Sequence, residues 1–204
     1  MSDDSPWPSA GGPSAGSGRS IGDAAPGTPA PAEHGVRDAP PTSGRHCPDV
    51  DAPVRSYLGD ATRIRLAAAD SDGRLGISDH DLAPGSATPW HVHAHDDEAL
   101  VVLRGCVEVA IGAQRFVAGP DDAIFAPRGV PHAWRVVSPG GARVLMVTTP
   151  GGHEQLFLDA GDRLGAVPAS IDLDRLRAAA ARVGVTILGP PPFAEGSVAG
   201  PRPA

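Results

Sequence analysis

Four residues near the middle of the chain have the types and spacing of a metal site. His91 and His93 stand two apart, Glu98 follows, and His132 comes after the turn-rich run Pro127-Arg128-Gly129-Val130-Pro131. Side chains two apart on an extended strand project from the same face, so His91 and His93 can present their imidazoles to one point. Glu98 opens the next apolar segment after a short connection that can fold back beside them, and His132 supplies a third imidazole. Three neutral imidazoles and one carboxylate make a borderline-soft site suited to one divalent transition metal, whether Fe, Mn, Ni, Co, Cu or Zn. Four protein donors leave one or two positions open on a five- or six-coordinate ion, as a reactive water, dioxygen or a chelating substrate requires.

Donors so placed need a rigid frame, and the surrounding sequence reads as short strands. Arg63 to Leu66 and Leu75 to Ser78 alternate, and Glu98 to Leu103 is a nearly continuous apolar run, the pattern of a strand buried on both faces. Val107, Val109 and Ile111 alternate with Glu108 and Ala110 before Gly112-Ala113 turns the chain into Gln114 to Val117, a hairpin. Ala123 to Ala126, Ala133 to Val137 and Arg143 to Thr148 supply three more strands. Many short strands punctuated by Gly and Pro predict an all-β sandwich or barrel. Beyond Pro150 the pattern turns helical, with a short helix over Glu154 to Asp159 and a better one from Asp172 to Val183. The latter carries Leu173, Leu176, Ala180 and Val183 on one face and Asp172 and Asp174 in its first turn, with Gly184 as a stop.

Domain limits follow from composition. The chain has 26 glycines and 23 prolines among its 204 residues, and the prolines concentrate at its ends. Residues 1–55 read as a disordered Pro/Gly-rich arm, 56–150 as the barrel, 151–190 as a C-terminal helical extension and 191–204 as a disordered tail. The net charge is −7 and all 17 basic residues are arginine, which argues against a nucleic-acid partner. No apolar run reaches the ~20 residues of a membrane span, and Met1 to Gly12 lacks the pattern of a secretory signal, so cytoplasmic residence is expected. Cys47 and Cys106 read as two unrelated thiols.

The spacing also carries a family resemblance. Residues 85–105 match the first cupin motif, G-x5-H-x-H-x4-E-x6-G, at every position from Gly85 to Gly105. Residues 119–136 match the second, G-x5-P-x-G-x2-H-x3-N, at Pro127, Gly129 and His132. Asp121 stands where its first glycine is expected, Gly119 falls two residues early, and Val136 replaces the asparagine. The run Phe125 to Trp134, the Thr148 to Gly152 exit and the tail ending in Pro190-Pro191 resemble single-barrel bacterial quercetin-dioxygenase-like cupins. The resemblance implies a double-stranded β-helix (jelly-roll) barrel, a metal on His91, His93, Glu98 and His132, and a homodimer. It also implies a second role for Glu98, as a general base that leaves the metal to take a substrate proton.

Three functions are compatible with that set. The leading expectation is a metal-dependent dioxygenase acting on a small aromatic or enolic oxygenated molecule. A non-redox isomerase, cyclase or lyase using the ion as a Lewis acid is the second, and a barrel that binds a small molecule without turnover is the third. Among other residues, Asp97 is a candidate to orient a ligand imidazole, or a solvated turn carboxylate. Trp90, Phe116, Phe125 and Trp134 read as core more than pocket, and Arg128 as a solvated turn residue. His95 reads as a solvated loop residue, and His34, His46, His80 and His153 carry no assigned role.

Overall fold

A computed structural model describes residues 44–164 and 171–193. The predicted arm through residue 43 and tail from residue 194, with His34, lie outside the described residues.

The described chain is an all-β fold of two antiparallel sheets with two helices appended. In order it runs β1 (Val54–Tyr57), β2 (Asp60–Leu66), β3 (Gly76–Leu82), β4 (Trp90–His93), β5 (Asp97–Arg104), β6 (Val107–Ile111), β7 (Gln114–Ala118), β8 (Ala123–Ala126), β9 (His132–Val136) and β10 (Ala142–Thr149). Then follow α1 (Glu154–Ala160), β11 (Asp162–Arg163), α2 (Leu173–Arg182) and β12 (Val185–Gly189). The larger sheet has the order β11-β1-β2-β3-β10-β5-β8 and the smaller β12-β4-β9-β6-β7. Consecutive strands repeatedly fall in different sheets, so the chain winds back and forth between two faces, the jelly-roll solution to the exposed-edge problem.

Alternation of side chains builds the interior. On β5, Glu98, Leu100 and Val102 are buried while Ala99 and Val101 are half-buried and Leu103 is exposed. The apolar run therefore has one buried face, not two, because β5 lies in a sheet whose outer side is open. Inward residues of the neighbouring β10, Val144 and Met146, and of the facing sheet, Val109, Trp134 and Val136, complete the core.

Turn chemistry holds the corners. Gly105 has φ 74°, and a Cβ there would stand 2.2 Å from the Gly141 carbonyl oxygen, so only glycine fits. Asp121, where the motif has glycine, also adopts the left-handed region at φ 70°. Aspartate tolerates that conformation better than most residues, which explains how the corner survives the substitution.

The segment after Pro150 is more than a helical extension. α1 and α2 form as the apolar spacing predicts, and the Asp172 carboxylate caps α2 by accepting from the Arg175 amide at 2.9 Å. The chain then reverses at Gly184 and adds β12 to the smaller sheet, pairing Val185 with His93 and Ile187 with His91. At the other end, residues 44–53 include a short 3-10 turn, Asp49–Asp51, whose Asp49 side chain pairs with Arg65 on β2. The last part of the predicted arm is thus tied to the barrel.

Candidate metal centre

The four candidate donors come from three strands on two sheets. His91 and His93 lie on β4 and His132 on β9, where His91 and His132 are register partners. Glu98 faces them from β5 in the other sheet. All four are buried, His93 to 1 % exposure. One donor atom from each lies within 4.8 Å of the others. Donors about 2.1 Å from a common ion fall within such a span.

Hydrogen bonding fixes which ring nitrogens face the centre. His91 Nδ1 donates to the Pro89 carbonyl at 2.8 Å, and His132 Nδ1 to the Val130 carbonyl at 3.0 Å. A carbonyl only accepts, so the proton of each neutral ring sits on Nδ1 and the lone pair on Nε2. His93 Nδ1 stands 2.8 Å from Asp96 Oδ2 and takes the same tautomer. The Nε2 atoms of His93 and His132 are buried without a hydrogen-bond partner among the described residues, 3.7 Å and 3.9 Å from Glu98 Oε2. Buried lone pairs converging on a carboxylate without donors between them are the arrangement a cation satisfies, so the donor set fits a metal.

The electrostatics favour neutral rings at His91 and His93 and an ionised Glu98, while the carboxylate pulls His132 the other way. Burial pushes His91 down to about 3, and the adjacent His132 and His93 rings push it the same way, which keeps it neutral. Burial likewise holds His93 below its usual value, against the pull of Asp96. Burial disfavours a charged Glu98, but His132 and the other two imidazoles outweigh it and hold the carboxyl well below the usual carboxylate range. Burial also opposes a proton on His132, and contact with Glu98 reverses the balance, raising that ring above its ordinary value.

A model of the cupin domain family matches residues 79–148, a span that includes all four donors. The match is confined to that stretch, about a third of the chain. The chain is 31 % identical over 78 residues to quercetin 2,3-dioxygenase of Bacillus subtilis (strain 168), covering 38 % of this chain and 23 % of that protein. Among solved structures, KdgF from Halomonas sp. is 18 % identical, covers 55 % of this chain and 98 % of that one, and superposes with a TM-score of 0.48. Oxalate decarboxylase from Bacillus subtilis at pH 4.6 is 23 % identical over 59 % of this chain and 32 % of that one, with a TM-score of 0.47. This chain therefore spans about a quarter of the curated relative.

Beside the donors, the barrel and the two helices surround a cavity. Glu98 and His91 are among the residues that line it. The walls are mostly apolar: Leu82, Trp134 and Met146 from the barrel, Leu156 and Phe157 from α1, and Leu176 and Ala180 from α2. Tyr57, His80 and His153 add polar atoms. Such a mix suits a compact ligand with a polar end turned to the donors and an apolar remainder.

Several of the sequence assignments shift. Asp96, not Asp97, orients a donor imidazole; Asp97 instead accepts from Arg128 Nε at 3.0 Å and Nη2 at 2.8 Å, which draws its carboxyl down to about 2. Arg128 is thereby paired rather than free in solvent. Of the aromatics, Trp134 is both core and cavity wall, whereas Phe125 at 61 % and Phe116 at 39 % exposure are outside the core. His95 is exposed, as expected of a loop. His80 and His153 are buried cavity residues that gave no sequence signal, because no neighbour in the chain shares their function. His80 bonds Thr62 Oγ1 at 3.0 Å and Ser78 Oγ at 2.8 Å, and burial lowers it to about 4, so it is a neutral wall residue. Among the described residues, no helix is long and apolar enough to cross a membrane, and both cysteines are free.

Proposed function

We propose that this protein is a metal-dependent cupin dioxygenase, with one divalent transition metal held by His91, His93, Glu98 and His132. The carrying observation is the convergence of three imidazoles, each with its Nδ1 at a carbonyl or carboxylate oxygen, and the Glu98 carboxylate on one buried point beside an apolar cavity. Bound there, the ion supplies Lewis acidity and, when redox-active, electrons for dioxygen chemistry. The stretch shared with the Bacillus subtilis quercetin 2,3-dioxygenase supports the redox reading over a non-redox isomerase, cyclase or lyase.

The protein's residues then have separable tasks. His91, His93 and His132 hold the ion from one sheet. Glu98, on the opposite sheet and at the cavity wall, is placed to accept the proton of an enolic or phenolic hydroxyl. The apolar walls exclude water and seat the carbon skeleton. Apolar walls with a few polar groups near the donors suit a small oxygenated compound, aromatic or enolic, as the substrate. Leu103 and Phe125, 44 % and 61 % exposed on the outer face of the larger sheet, support pairing of two copies as a homodimer. We place the dimer in the cytoplasm.

The test is metal analysis of protein purified without a metal-binding tag, followed by oxygen uptake with small enols, 1,3-diketones and catechols. One redox-active metal per chain and substrate-dependent uptake are expected. Turnover with zinc in the absence of oxygen would instead establish the Lewis-acid function, and ligand binding without any turnover a binding barrel.

A further inference from the structure

One buried residue beside the donors, His153, has no part in the function just proposed, and it shares a partner with a donor. Asp96 is 5 % exposed, and its Oδ2 is shared: it lies 2.8 Å from His93 Nδ1 and 3.3 Å from Nδ1 of His153. The two imidazoles stack face to face, with ring centroids 4.6 Å apart and planes within 19°. His153 is itself wedged from behind by Phe157, edge-on at 5.2 Å, and Phe157 meets Tyr57 at 5.0 Å and His80 at 5.1 Å. The His153 backbone sits where α1 begins, and next to it the Glu154 carboxylate accepts from the Ala68 and Gly152 amides at 2.6 and 2.9 Å. The position of the ring is therefore set by the α1 segment and not by the ligand strands.

These contacts limit the freedom left to His93. Rotation about its Cβ–Cγ bond would break the Nδ1 contact with Asp96, and tilting of the ring is blocked on one face by His153. The Asp96 carboxylate also fixes the proton on Nδ1, leaving the Nε2 lone pair for the centre. His91 and His132 are held differently, each by a backbone carbonyl of its own local turn. His93 alone among the three is aligned by a carboxylate and by a side chain from outside residues 79–148.

We infer that Asp96 and His153 are positioning residues for the metal, a brace by which the segment after the barrel sets the orientation of His93 and hence the affinity and geometry of the ion. The inference rests on the metal site proposed above. It makes the post-barrel segment part of the centre, although that segment contributes no donor.

Titration with Co(II), read by bound-metal stoichiometry and by the visible ligand-field spectrum, tests the brace. His153→Ala and Asp96→Asn are compared with wild type and with the stack-preserving His153→Phe, each first shown folded by circular dichroism and thermal melting. Weakening of Co(II) binding by about 10–100-fold in Asp96→Asn, the range for loss of such outer partners, is expected. His153→Ala should weaken binding by about tenfold and shift the spectral bands, with His153→Phe recovering part of the affinity by keeping the stack. Affinity within twofold of wild type and an unchanged spectrum in both Asp96→Asn and His153→Ala would overturn the brace while leaving the metal site standing. Failure of wild type itself to bind Co(II) would overturn both. A variant that melts early yet binds and absorbs as wild type counts against positioning, since it shows a role in stability alone.

Discussion

The ligand strands and the segment after Pro150 enclose the same cavity by opposite means. Around β4, β5 and β9 the functional groups are polar, buried and fixed by near neighbours: His91 by Pro89, His132 by Val130, His93 by Asp96. In the segment after Pro150 the contribution is mostly apolar and long-range, with Leu156, Phe157, Leu176 and Ala180 closing over residues far away in the chain. The first region resembles a chemical instruction written locally. The second is a lid whose shape depends on packing across the fold. They meet along the β12–β4 pairing and, among side chains at the centre, at the Asp96–His153 contact.

The largest effect expected from separating these regions is loss of the ion with the fold retained. His93→Ala or His132→Ala should lower bound metal to below about a tenth of an ion per chain, because the remaining donors no longer enclose the centre. Both rings lie on short strands whose ladders use backbone groups, so the far-UV spectrum should stay that of the parent. Elemental analysis beside circular dichroism measures both. Full metal occupancy in either variant would break the division, since it would mean that donors outside this set suffice.

The same division explains what could be read from residues alone. The spacing of His91, His93 and Glu98 is a local pattern with a geometric meaning, and strand periodicity found β5 to β10 because inward and outward residues alternate there. Nothing comparable marks β12, whose Val185 to Gly189 acquires its strand character from pairing with β4, about ninety residues earlier. His153 was invisible for the same reason. A lone histidine after a glycine pair has no pattern until the fold stacks it on His93. Asp96 and Asp97, adjacent in sequence, could be told apart only once the turn showed which one points inward.

Leu176→Ala should separate the regions in the converse sense. Leu176 is 3 % exposed on α2 and lines the cavity, so truncation removes transfer free energy and leaves a void, a cost of about 2–5 kcal/mol. Urea unfolding should show the lower midpoint, whereas metal affinity should stay near that of wild type because α2 supplies neither a donor nor a hydrogen-bond partner of one. A loss of metal affinity matching that of the donor variants would show that the cap acts on the centre as a whole and not only through His153.

A smaller effect belongs to the barrel wall away from both regions. Asp79 on β3 is 3 % exposed and clamped by Arg143 Nε at 2.9 Å, Arg143 Nη2 at 2.7 Å and Arg65 Nη2 at 2.6 Å. Its hydrogen bond to Arg143 outweighs burial and, with Arg65, brings the carboxyl to about 2. Because the folded value lies below the unfolded one, the group stabilises the fold fully above about pH 4 and loses that contribution as pH falls toward 2. The difference corresponds to roughly 2 kcal/mol. Asp79→Asn should therefore be less stable than wild type at pH 7, and the gap between the two should close on acidification through that window. A gap that stays constant from pH 7 to 2 would show that the clamp contributes through shape and not charge.

The smallest expected effect tests whether the lid is held by its own local signals or by burial alone. The Asp172 side chain accepts from the Arg175 amide at 2.9 Å and satisfies one of the free donors at the start of α2. Asp172→Ala removes that acceptor and should cost about 1 kcal/mol. The loss is local, so amide exchange should quicken in the first turn of α2 more than in β5 or β9. Leu176 and Ala180 remain buried in the variant, which keeps the helix docked in most molecules at any moment. If exchange instead rose equally in α2 and in the ligand strands, the lid and the donors would open as one cooperative unit, and the contrast between a locally fixed centre and a separately packed cap would fail on dynamic grounds even though it holds in the static fold.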